Sequence, residues 1–183
     1  MGDLKKRKTV RLKGFNYNAE NVFFITICTQ QKQCTLSDIV EPYTSDYAPA
    51  LDPTVSLVRL LPYGVIADKY IKQLDDFYPE IEIKRYVIMP NHIHLLVRTK
   101  TNEICDLIED ENKEYISTLQ NSIISRFIST FKRFCNKEIG KNIWQYRSYD
   151  HVIRSEHDYD VHMKYIAENP WRWRQDELYR GIF

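Results

Sequence analysis

The chain has 183 residues, 43% of them hydrophobic and 13% aromatic, with a formal net charge of +1, which suits one soluble globular domain with a core of ordinary size. No apolar run approaches the roughly 20 residues of a membrane helix, and the basic N-terminus leads into no apolar signal region, so the expected location is the cytoplasm, away from any membrane. Four cysteines, Cys28, Cys34, Cys105 and Cys135, have neither Cys-x-x-Cys spacing nor a histidine nearby, which argues against structural zinc and disulfides and for free thiols in a reducing compartment.

The near-neutral sum hides an uneven distribution. Residues 1–14 crowd Lys5, Lys6, Arg7, Lys8, Arg11 and Lys13 into a basic arm with little to bury, ahead of a single domain over 15–183. Val22 to Thr29 reads as a strand by its β-branched and aromatic content, and it is apolar on both faces, which places it in the middle of a sheet. Residues 35–54 carry four acids, no lysine or arginine and three prolines, an excursion from the core with room for a short strand. Ile66, Tyr70, Leu74 and Phe77 recur at helical spacing, predicting a helix over 62–77 that Pro79 ends. Ile81 to Ile88 and His92 to Val97 are two strands joined by Met89-Pro90-Asn91, most simply an antiparallel hairpin.

An acidic stretch over 99–116 reads as a loop. The next helix is expected over 117–139, with Ile123, Phe127, Phe131 and Phe134 as its core stripe and Gly140 as its stop. Arg126, Arg133 and Lys137 form a basic ridge on its flank. Residues 143–154 supply one or two further strands. Ser155 then caps a last helix, with Asp158 three residues on, running to Asn169 and stopped by Pro170. Beyond it Trp171-Arg172-Trp173-Arg174 alternates aromatic and basic residues. Strand, helix, strand, strand, helix, strand is the α+β, ferredoxin-like βαββαβ order, whose open sheet face the added C-terminal helix is placed to cover.

Alternate residues of a strand face the same way, so His92 and His94 share one face while Ile93, Leu95 and Val97 line the other. Two imidazoles about 7 Å apart at their roots reach one ion or one phosphate. An isolated His-x-His is more often ordinary packing, but the tight Pro-Asn turn and the face opposite the apolar residues favour a metal or phosphate site. On the last helix Tyr165 and Asn169 lie four residues apart on one face, with His162 three residues before Tyr165 on much the same side. A tyrosine hydroxyl is a possible nucleophile and an asparagine carbonyl a possible third ligand for a hard cation. Tyr159 points elsewhere and has no amide four residues on.

The run from Val87 through Pro90-Asn91-His92-Ile93-His94 to Val97 resembles the HUH motif of the single-tyrosine transposases, in the REP-associated tyrosine transposase branch. The resemblance extends through Ile124-Ser125-Arg126-Phe127, Phe131-Lys132, Trp144-Gln145, Tyr149-Asp150-His151-Val152-Ile153-Arg154 and Tyr165-Ile166-Ala167-Glu168-Asn169-Pro170, over roughly residues 10–175. It implies that His92, His94 and Asn169 hold Mg²⁺ or Mn²⁺, that Tyr165 is the nucleophile forming a 5′-phosphotyrosine link to single-stranded DNA, and that the fold is ferredoxin-like. Single-stranded or hairpin DNA is then the expected partner of a monomer or homodimer. Lys6, Arg7, Lys8, Arg11, Arg126, Arg133, Lys137, Arg154, Trp171 and Arg172 are the residues expected to hold it, and His162 is a candidate base for the tyrosine. Histidine-triad hydrolases fail on the third position, Leu96. A non-catalytic nucleic-acid-binding protein of the same fold is the alternative.

Overall fold

The computed structural model describes residues 21–40, 57–100 and 123–179. The basic arm, most of the first acidic excursion, the stretch 101–116 and the expected helix start at 117–122 lie outside them. Among the described residues are six strands, β1 (Asn21–Cys28), β2 (Ser37–Ile39), β3 (Val58–Leu60), β4 (Ile81–Ile88), β5 (His92–Thr99) and β6 (Tyr149–Ile153), and three α-helices, α1 (Pro62–Phe77), α2 (Ile123–Ile139) and α3 (Glu156–Glu168).

Four strands form an antiparallel sheet in the order β4-β5-β1-β6. With α1 and α2 between strands, this is the ferredoxin-like arrangement, and the doubly apolar β1 lies inside the sheet as expected. β2 and β3 pair with each other as a separate small ribbon at the two ends of the excursion, two short strands where one was expected. Residues 143–154 give one strand, β6, preceded by a single bridge between Thr29 and Trp144.

One sheet face packs under α1 and α2. There Phe23, Ile25 and Ile27 of β1 and Ile93, Leu95 and Val97 of β5 meet Ala67, Ile71 and Leu74 of α1 and Ile124, Phe127 and Phe131 of α2. Full burial of each large apolar side chain contributes about 1.5–3 kcal/mol, so this layer holds the sheet rigid beneath the site. The lane of α1 that enters it is Ala67, Ile71 and Leu74; Ile66 and Tyr70 flank it, and Phe77 is 63% exposed, packing edge-on against Phe134. Leu74 belongs to both the expected and the observed set, and beside it the smaller Ala67 and Ile71 rather than Ile66 and Tyr70 enter the layer. Gly64 lets α1 pass the Leu36 carbonyl oxygen, which any Cβ would meet at 1.9 Å. Gly140 closes α2 at φ +81°, where glycine carries no Cβ penalty.

The opposite face is covered by α3. Phe24, Leu96 and Ile166 form its buried centre, with Val22, Val87, Ile153, Tyr159 and Met163 around them. No helix among the described residues is long and apolar enough to cross a membrane.

Candidate active site

The turn between β4 and β5 is fixed by its backbone. Met89 N donates to His92 O (2.8 Å), Leu36 N to Pro90 O (3.0 Å) and Thr29 N to Asn91 O (2.9 Å). Asn91 is fully buried, and its Nδ2 donates to Lys32 O (3.2 Å) and Leu178 O (2.8 Å). With both donors spent, its Oδ1 faces His92 Nδ1 at 2.8 Å. His92 must therefore carry its proton on Nδ1 and leave Nε2 as a bare lone pair. Register places Thr26 opposite His94, and Thr26 Oγ1 lies 2.9 Å from His94 Nδ1; a hydroxyl both donates and accepts, so this contact orients the ring without choosing its tautomer.

Both histidines are buried, at 0% and 3% exposure. Burial pushes His92 down to about 4, against the opposing pull of the Asp176 carboxylate and the Asn169 amide, and it holds His94 well below the usual imidazole range. Each ring is thus neutral near pH 7, the form that binds metal.

α3 starts where Ser155 Oγ accepts from Asp158 N at 3.1 Å. Its buried Ile166 turns one face to the sheet, and that face carries Tyr165 and Asn169 into the histidines. The Tyr165 ring lies 5.2 Å from His94 and 5.8 Å, edge-on, from Phe24. Asn169 is 1% exposed. His92 Nε2, His94 Nε2 and Asn169 Oδ1 are all buried with no hydrogen-bond partner of acceptable geometry. A buried acceptor left unsatisfied costs about 1–3 kcal/mol, and three together make a donor set that suits a hard-to-borderline divalent cation.

Asp176, which the sequence reading passed over, completes the cluster. Its Oδ2 accepts from Asn169 Nδ2 (2.8 Å) and the Tyr165 hydroxyl (3.2 Å), and one of its oxygens lies within 4.8 Å of ligand atoms of His92 and His94. Burial, and then the charge of Asp176, push the Tyr165 hydroxyl up to about 12. Beside Tyr165 opens a cleft of about 620 Å³ lined by Phe24, His94, Tyr149, His162 and Glu177 among others.

No family profile matches the chain. It is 31% identical to an uncharacterized protein of Haemophilus influenzae over 94% of this chain and 93% of that one. To the REP-associated tyrosine transposase of Escherichia coli it is 33% identical over 49% of this chain, spanning 44% of that protein's length. A solved REP-associated tyrosine transposase bound to a REP hairpin shares the fold, at a TM-score of 0.53 and 19% identity over 88% of this chain and 74% of the other. Over about half of its length the chain is thus similar to REP-associated tyrosine transposases.

The helix that carries Tyr165 is clasped to the sheet by a second polar cluster. Asp158 Oδ2 accepts from Arg154 N and lies 3.1 Å from His151 Nε2, while Asp158 Oδ1 is 3.1 Å from His162 Nδ1. The two imidazoles stack at 5.0 Å. His162 Nδ1 is also 2.8 Å from Asp158 O. His162 Nδ1 is therefore committed to Asp158 and the tyrosine hydroxyl donates to Asp176, so the base role expected of His162 has no hydrogen bond behind it. The ring instead packs 4.6 Å from Phe24. Through Asp158 the cluster ties the start of α3 to β6.

The residues expected to hold DNA are scattered. Arg133 and Lys137 line one groove of about 630 Å³ with Lys132, Lys141 and Tyr146, the last 96% exposed. Lys132 Nζ donates to the Gln145 (2.9 Å) and Tyr146 (3.3 Å) carbonyls, and burial pulls its ammonium down to about 8. Arg126 and Arg154 are exposed elsewhere. The tail divides: Trp171 is exposed and lines a separate groove with Arg174, Trp173 is buried with its ring 5.9 Å from His92, and Arg172 pairs with Glu168 at 2.8 Å. Lys6, Arg7, Lys8 and Arg11 lie outside the described residues.

Proposed function

We propose that this chain cuts and rejoins single-stranded DNA through a covalent phosphotyrosine link on Tyr165, with His92, His94 and Asn169 holding Mg²⁺ or Mn²⁺. The observation that carries the reading is the convergence of three buried, unpaired ligand atoms beside a half-exposed tyrosine whose ring packs on one of the ligands. Similarity to tyrosine transposases over about half of the chain supports it.

In the forward step Tyr165 Oη bonds to phosphorus, the bond from phosphorus to the 3′ oxygen breaks, and the hydroxyl proton ends on the departing 3′-hydroxyl. The link conserves the energy of the broken phosphodiester, so attack by a second strand's 3′-hydroxyl restores the tyrosine and joins DNA without ATP. When bound, the ion supplies Lewis-acid stabilisation of the charge on the scissile phosphate. The chain's own contribution is geometric: Asn91 keeps the His92 Nε2 lone pair free, Thr26 orients the His94 ring through Nδ1, and α3 holds Tyr165 over the cleft. The solved transposase's hairpin complex makes hairpin-containing single strands the first substrate to test. Incubation with end-labelled hairpin DNA and Mn²⁺ should give a protein-DNA adduct that survives denaturation; no adduct with any hairpin, with either ion, would remove the reading.

The groove on α2 is the proposed track for the DNA backbone, with Tyr146 available for an unpaired base. Arg133→Glu and Lys137→Glu should each weaken hairpin binding to a similar degree across sequences. Each should also flatten the dependence of log affinity on log salt by about one. Fluorescence anisotropy over a salt series measures both, and unchanged slopes would place the DNA elsewhere.

A further inference from the structure

An asparagine amide fits its site in two nearly isosteric orientations, and hydrogen bonds decide which end points where. For Asn169 the deciding partner is Asp176, seven residues on. A carboxylate only accepts, so Asn169 must turn Nδ2 to it, at 2.8 Å, which leaves Oδ1 on the buried side without a partner. Freed from Asp176, the amide would gain by flipping. Its NH₂ would then face the bare Nε2 acceptor of His92, closing the cluster on itself with a donor where a ligand oxygen is needed.

Asp176 is itself held on several sides. Its backbone N donates to Trp173 O (3.1 Å), and its Oδ1 accepts from Leu178 N at 2.6 Å. Leu178 O in turn takes the 2.8 Å bond from Asn91 Nδ2, whose Oδ1 fixes His92. The same short tail segment therefore sets the amide of Asn169, the tautomer of His92 and, through the 3.2 Å bond from Tyr165, the resting place of the hydroxyl.

We infer that Asp176 is the positioning residue of this centre, acting through Asn169 to present its oxygen rather than its nitrogen to a divalent cation, an inference that rests on the metal site proposed above. The test is Mn²⁺ affinity, read by the free-ion electron paramagnetic resonance signal without DNA, for the wild type, His94→Ala, Asn169→Ala, Asp176→Asn and the double variant Asn169→Ala with Asp176→Asn. Asp176→Asn is isosteric, and because Leu178 N keeps the remaining oxygen, it turns an NH₂ towards Asn169 and reverses the amide. It should raise the Mn²⁺ dissociation constant about 10–100-fold, the range of second-layer changes at metal sites, with the metal-free melting temperature unchanged. Asn169→Ala should lose as much, and the double variant should lose no more than Asn169→Ala alone, within about threefold, as for two residues acting in series. Affinity unaltered by Asp176→Asn while His94→Ala abolishes it would overturn the role of Asp176 alone. So would a multiplied loss in the double variant, which would make the carboxylate an independent contributor. Binding that ignores His94→Ala would remove the metal site and this inference with it.

Discussion

Tyr165→Phe eliminates the covalent adduct and lowers strand cleavage by on the order of 10³-fold or more, as removal of a nucleophile does, while hairpin affinity and melting temperature stay near those of the unaltered protein. The substitution deletes one oxygen and keeps the ring that packs on His94 and Phe24. The substitution gives up the 3.2 Å bond to Asp176, at a residue 39% exposed, where water replaces it. The surroundings also name the competitor. Among the described tyrosines, Tyr149 is 52% exposed and lines the same cleft, whereas Tyr159 is partly buried against the Phe24, Leu96 and Ile166 cluster. Peptide mapping of the adduct separates the two, and an adduct undiminished in Tyr165→Phe, or mapped to Tyr149, would end the assignment. The raised hydroxyl range sets a second expectation on the same assay: with burial and Asp176 holding the phenol protonated up to about 12, adduct formation without divalent ion should be negligible at neutral pH.

What could be read from the sequence was what short-range chemistry decides. The Pro-Asn turn, the Ser155 cap, the Gly140 stop and the two-faced apolarity of β1 each depend on neighbours within a few residues, and each sits where the pattern put it. The proximity of His94 to Tyr165 followed from period arithmetic on two elements plus one topological inference, that α3 covers the open face. Two overlapping sets of α1 residues, sharing Leu74, have helical spacing, so Phe77 could be placed only by knowing which set faced the sheet. His162 shared a helical face with Tyr165, yet the unforeseen pairing with Asp158 claimed it. Asp176 left no trace at all: an acid in a polar tail has no period, and its function arises only when residues 173–179 fold back onto the hairpin and α3.

Mn²⁺ should raise the melting temperature of the unaltered protein and have no such effect on His92→Ala with His94→Ala, whose cleavage should fall to that of the parent protein in EDTA. At an ion concentration 100 times the dissociation constant, linkage gives about 2.7 kcal/mol. For a chain of this length that is a shift of roughly 5–10 °C. The comparison must be of increments, because the imidazoles act on the metal-free fold in two opposed ways. They fill space at 0% and 3% exposure, so alanine leaves a cavity, but each also buries an Nε2 that has no partner, so alanine removes a cost. These terms are of similar size, and the stability measured in EDTA can move either way without bearing on function. The ion-dependent increment expected on the proposed site comes from the two Nε2 atoms, that of His92 kept bare by Asn91. If the double variant kept that increment, or cleaved DNA in an ion-dependent way, the ion would have to bind elsewhere, and two unsatisfied buried imidazoles would be left without a reason to exist.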